Sequence, residues 1–241
     1  MSTNKENTPP ISDVAQHWAE RPLDRRAMLR AAGLGGAALA LAACGEQTLT
    51  GAAVATARKF GGTDGNVILD FSSDIDVLNY AYALEQLEAA FYVQVVATSG
   101  FTSRFAANEQ RLLTAVRDHE VVHREFLKTA LGAAAIPGLT PNFSSIDFTS
   151  RSSVLNTAQT FEDLGVGAYN GAAKYLANVG YLLVAGKIVS VEARHASAIR
   201  DVLSPRSGSF APNTFDPAMT PTSVLSAAQS FIVQTITVIN S

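Results

Sequence analysis

Six residues combine cation-binding types at spacings that would let them act together. Glu120-Val121-Val122-His123 and Glu192-Ala193-Arg194-His195 each place an acid three residues before an imidazole. On a helix that spacing puts both side chains on one face. Glu85 stands in the middle of an expected helix that is apolar nearly all round, and Glu162 in the segment Phe161-Glu162-Asp163-Leu164-Gly165-Val166 of another. A carboxylate buried there is costly unless it is paired, protonated or bound to a metal. Four carboxylates and two neutral imidazoles balance two divalent ions. The set is therefore neutral when filled and self-repelling when empty. Oxygen and imidazole donors without a thiolate suit iron or manganese.

Other residues gather around this set. Tyr92 follows Glu85 by seven positions, and Tyr169 follows Glu162 by seven. Either phenol could hydrogen-bond to, or donate electrons at, such a centre, or simply pack. Glu88 lies one turn from Glu85 and is the alternative first-helix ligand. Glu85 is preferred because its spacing to a tyrosine matches that of Glu162. His119 falls beside the set, as a supporting or partly exposed residue. With His123 it also completes the literal string His-Glu-x-x-His, which in zinc proteases places two histidines on zinc and uses the glutamate as base. That reading leaves Glu85, Glu162, Glu192 and His195 without a role and lacks a strand to bind substrate.

Helices must position these groups. An apolar helix is expected over about 74–98, opened by a capping box at Ser73-Asp74-Ile75-Asp76. Further helices are expected over about 103–131, 151–178 and 182–203. Pro137, Gly138 and Pro141 mark a long connection between the second and third. Thr220-Pro221 opens a last helix to about 239, although Phe231–Ile239 is rich in β-branched residues. The fold class is all-α: a four-helix bundle with a long crossover between helices two and three, plus a C-terminal helix. Residues 206–241 form the closing loop and that helix.

The chain has 241 residues and a net charge of -3. That charge gives no basic surface for a nucleic acid, so none is expected as a partner. One cysteine excludes an internal disulfide and a Cys-based zinc cluster. Residues 1–43 have the form of an export signal. Arg25-Arg26 with Met28-Leu29-Arg30 resembles a twin-arginine motif, and the Gly- and Ala-rich apolar run that follows is too short to span a bilayer. Leu41-Ala42-Ala43-Cys44 resembles a lipobox, so Cys44 would carry a lipid after processing. The expected partners are thus the twin-arginine translocase during export and then a membrane held through Cys44. Gly45 after the cysteine points to the outer membrane where one exists; without lipidation the protein would be soluble in the periplasm. Residues 44–72 read as a tether.

The phrases Leu84-Glu85-Gln86-Leu87-Glu88-Ala89-Ala90-Phe91-Tyr92, Phe161-Glu162-Asp163-Leu164-Gly165-Val166-Gly167-Ala168-Tyr169 and Val191-Glu192-Ala193-Arg194-His195-Ala196 resemble the ferritin-like superfamily. The likeness is to its exported bacterial branch, with plant desiccation-related proteins as relatives, and covers about 73–205. It implies a ferritin-like bundle with Glu85, Glu120, His123, Glu162, Glu192 and His195 as ligands of two iron or manganese ions. The acid that often precedes Glu-x-x-His in such sites is absent here, where His119 and Val191 stand. Two functions are compatible with this set. One is a dimetal oxidoreductase of peroxidase, catalase or oxidase type. The other is a non-catalytic metal-binding or stress-protective envelope protein. Either allows a homodimer.

Overall fold

The computed structural model describes residues 65–241. Arg25, Arg26, Cys44 and the rest of the predicted signal lie outside the described residues, as does most of the predicted tether.

Helix α1 (Asp74–Ala97) has no polar face, and every residue from Asp76 to Ala89 is buried. A helix apolar all round belongs inside a bundle. Around it lie a single turn, α2 (Phe101–Arg104), and three long helices: α3 (Ala107–Leu131), α4 (Arg151–Ala172) and α5 (Val179–Leu203). α1 pairs with α3 and α4 with α5. Residues 132–150 form the crossover between the pairs. The bundle is the expected all-α architecture. Among the described residues no helix is long and apolar enough to cross a membrane.

Two buried amides of α1 anchor the crossover. Asn79 donates to the carbonyl of Ala134 at 2.9 Å and accepts from the N–H of Ile136 at 2.8 Å. Gln86 accepts from the N–H of Leu139 at 2.8 Å. Each bond satisfies a backbone group that has no secondary-structure partner.

Several element boundaries differ from expectation. The second helix is broken at Phe105, whose ring is buried and whose backbone is extended. Glu109 then restarts the helix by accepting the N–H of Ala106 at 2.9 Å. Ser73 makes no side-chain cap. Asp76 reaches past it instead, to accept the N–H of Asp70 at 2.9 Å. α4 ends at Ala172 and α5 starts at Val179, because Asp74 accepts the N–H groups of Ala177 and Asn178 at 2.8 and 2.9 Å and pulls the chain into a turn.

The final helix, α6 (Pro221–Ala228), is also shorter than expected. The β-branched residues after it form strand β2 (Ile236–Ile239), parallel to β1 (Val67–Asp70) with Val67 opposite Ile236. The tether prediction therefore fails at its end: Val67 and Leu69 are buried in a strand.

The segment leading to α6 crosses α4 at two glycines. The N–H of Met219 donates to the carbonyl of Gly167 at 2.9 Å. A Cβ on Gly171 would lie 1.7 Å from the carbonyl oxygen of Met219, so only glycine admits this crossing.

Candidate metal centre

All six predicted side chains meet between the four long helices. Glu85 comes from α1, Glu120 and His123 from α3, Glu162 from α4, and Glu192 and His195 from α5. The four glutamates are fully buried and His195 nearly so.

Their donor atoms form two groups. His123 Nδ1 lies 2.9 Å from Glu192 Oε1 and 3.5 Å from both Glu85 Oε2 and Glu120 Oε2. His195 Nδ1 lies 2.9 Å from Glu120 Oε1, 3.3 Å from Glu162 Oε2 and 3.4 Å from Glu192 Oε2. Within each group the donor atoms lie within 4.8 Å of one another. Glu120 and Glu192 give one oxygen to each group, whereas Glu85 and Glu162 serve one group each.

The outer oxygens of Glu85 and Glu162 are held crosswise. Tyr169 Oη donates to Glu85 Oε1 at 2.6 Å, and Tyr92 Oη donates to Glu162 Oε1 at 2.5 Å. The seven-residue step is two helical turns. It carries the phenol of α1 to the glutamate of α4, and the phenol of α4 to the glutamate of α1. Burial, reinforced by the carboxylate each one faces, pushes both phenols well above their ordinary range, so they act as neutral donors.

The inner atoms have no such partners. Glu85 Oε2, both oxygens of Glu120 and of Glu192, Glu162 Oε2, His123 Nδ1 and His195 Nδ1 are all buried without a hydrogen bond. An unsatisfied buried polar group costs about 1–3 kcal/mol, and more when charged. A set of such atoms facing one another at 2.9 to 3.5 Å is an arrangement that could hold a metal ion. The donor set of carboxylates with one imidazole per group is compatible with a divalent metal ion.

Without cations, protons must relieve the crowding. Burial pushes Glu85 well above the carboxylate range and Glu162 up to about 8. Burial alone would depress the two imidazoles, but the glutamates facing them push His123 and His195 up to about 12. Burial would also raise Glu120, but the two imidazoles outweigh it and hold that carboxyl down at about 2.

Residues 73–205, more than half of the chain, match the ferritin-like domain family. The chain belongs to that family. No curated protein matches its sequence. The matched span of this ferritin-like chain runs from the residue before α1 to just beyond α5, and so takes in all six converging side chains.

Two neighbours of the ferritin-like site were left open by the sequence. Glu88 is buried but belongs to neither donor group. Burial, and then the surrounding glutamates, push it well above the carboxylate range. Its Oε1 lies 3.0 Å from where a Cβ of Gly165 would be, so that glycine makes its room. His119 also belongs to neither group. Its Nδ1 turns to His195 Nε2 at 2.8 Å. His119 and His123 thus do not converge on one ion, and the His-Glu-x-x-His zinc reading lacks its ligand pair. Asn79, Gln86 and Gly165 were missed by sequence reasoning. The available signal was polar or glycine residues inside apolar helices.

Proposed function

We propose that this ferritin-like bundle holds two divalent ions, iron or manganese. Glu120 and Glu192 would bridge them, Glu85 and His123 would complete one site, and Glu162 and His195 the other. The observation that supports this reading is the inward-facing set of buried donor atoms with no hydrogen-bond partner. When bound, such ions supply one-electron chemistry between the +2 and +3 states, suited to consuming peroxide or dioxygen. The chain's own part is to hold the bridging carboxylates, fix Glu85 and Glu162 through Tyr169 and Tyr92, and keep bulk water away.

This activity would lie outside the cytoplasm. Arg25-Arg26 and Cys44 support export by the twin-arginine translocase and anchoring through a lipid. Manganese and ferrous iron lose to copper and zinc in open competition. Folding and loading before export would protect the intended metal.

Elemental analysis of protein purified from its native envelope tests the metal. Two iron or manganese ions per chain, lost in Glu120→Ala, are expected; zinc alone or no metal overturns the reading. Metal-dependent consumption of peroxide or dioxygen then tests the reactivity. A second reading, in which metal only stabilises an envelope protein, is favoured by the complete burial of Glu85, Glu120, Glu162 and Glu192. Metal that raises the melting temperature without turnover would select it.

A further inference from the structure

The two histidines of the centre are supported differently. His195 turns Nδ1 toward Glu120, Glu162 and Glu192, and its other ring nitrogen meets His119 Nδ1 at 2.8 Å. The ring centroids are 5.1 Å apart and the planes differ by 16°. That separation is about the greatest that such a nitrogen–nitrogen contact allows between two imidazoles. The rings therefore lie edge to edge and nearly coplanar, the in-line arrangement of an N–H···N bond. His119 is the residue before Glu120 on α3, so the helix turn that carries one bridging carboxylate also sets this bond. His123 has no counterpart: among the described residues no hydrogen bond reaches its second ring nitrogen.

We infer that His119 is a positioning residue for the cation site that His195 completes. It accepts the Nε2–H of His195, which fixes the tautomer that leaves Nδ1 free to bind, and makes this site tighter than the one at His123. The inference rests on the dimetal reading above. A ligating imidazole needs its remote N–H held, and losing such a partner costs about 10- to 100-fold in metal affinity. An imidazole acceptor here occupies the role that a carboxylate or backbone carbonyl often fills. His119 is itself exposed, so replacing it leaves the buried packing in place.

The test is a zinc titration of metal-free full-length protein, with zinc as a diamagnetic probe, and ¹⁵N NMR of the histidine rings. Wild type, His119→Ala and His119→Asn are compared; the asparagine carbonyl can accept the same N–H. In wild type two steps are expected, the first moving the Nδ1 signal of His195 and leaving Nε2 protonated. His119→Ala should weaken that step by about 10-fold or more, leave the His123 step in place and expose the Nε2 proton to fast exchange. His119→Asn should recover most of the loss. Two-step binding unaltered in His119→Ala, a loss confined to the His123 step, or asparagine no better than alanine would overturn the inference while leaving the dimetal reading intact. Wild type that binds no zinc, iron or manganese would bring down the dimetal reading, and this inference with it.

Discussion

Tyr92 on α1 donates its hydroxyl to Oε1 of Glu162 on α4 across 2.5 Å, so a phenol from one helix pair fixes a carboxylate of the other. Tyr169 returns the same contact to Glu85. One oxygen of each glutamate is committed outward, and only the other is left for the centre.

Tyr92→Phe removes the donor and leaves a buried carboxylate oxygen unpaired. The expected loss is about 1–3 kcal/mol, read as a lower denaturant midpoint with an unaltered slope in metal-loaded protein. Tyr169→Phe should behave alike. If both variants unfold with wild type, the phenols do not hold these glutamates.

Stability of the metal-free protein should fall between about pH 5 and 8. Glu162 has a folded value raised to about 8, so its contribution is complete below the ordinary carboxylate range and is lost as pH rises through 8. His123 and His195, raised to about 12, contribute fully below about 6.5 and progressively less above it. Glu120, held at about 2, opposes this trend only under more acidic conditions, where its contribution is lost as pH falls. Metal bound as proposed would have to displace these protons, so the stabilisation it adds should grow over the same interval. Chemical denaturation with and without chelator at pH 5, 6.5 and 8 measures both slopes. An apo protein that gains stability toward pH 8 would contradict the assignment.

Gly165 and Glu88 should be coupled. A helical glycine costs about 1 kcal/mol against alanine, but here a Cβ would lie 3.0 Å from Glu88 Oε1. Gly165→Ala alone should be neutral or destabilising. In a Glu88→Ala background the same change should stabilise by up to about 1 kcal/mol. Additive effects in the double-mutant cycle would show that Gly165 is not there for Glu88.

The same substitution should have opposite signs at two other helical glycines. Gly171→Ala drives a Cβ into the backbone of Met219. A loss of about 1–3 kcal/mol is expected from the forced shift. A Cβ on Gly186 in α5 meets nothing within 4 Å, so Gly186→Ala should gain about 0.5–1 kcal/mol. Thermal melts of the two variants side by side decide this.

The central features were legible because they repeat locally. Glu-x-x-His recurs on α3 and α5, and the seven-residue Glu-to-Tyr step recurs on α1 and α4. The apolar run around Glu85 announced burial, and its seven-residue step to Tyr92 favoured it over Glu88. What stayed hidden depends on partners far along the chain. Asn79 and Gln86 bind backbone more than fifty residues away, and no local pattern encodes that. Asp76 has the spacing of a cap but serves the end of β1. Val67–Asp70 is a four-residue strand whose partner lies beyond α6, too short to show a period before its mate is known.

That strand pair has a mechanical consequence. β1 and β2 run parallel, so the chain entering β1 and the chain leaving β2 emerge at opposite ends of the pair. Tension applied between residue 65 and residue 241 would shear its backbone bonds together instead of peeling them one by one. The helices would feel the load only after this clasp had given way.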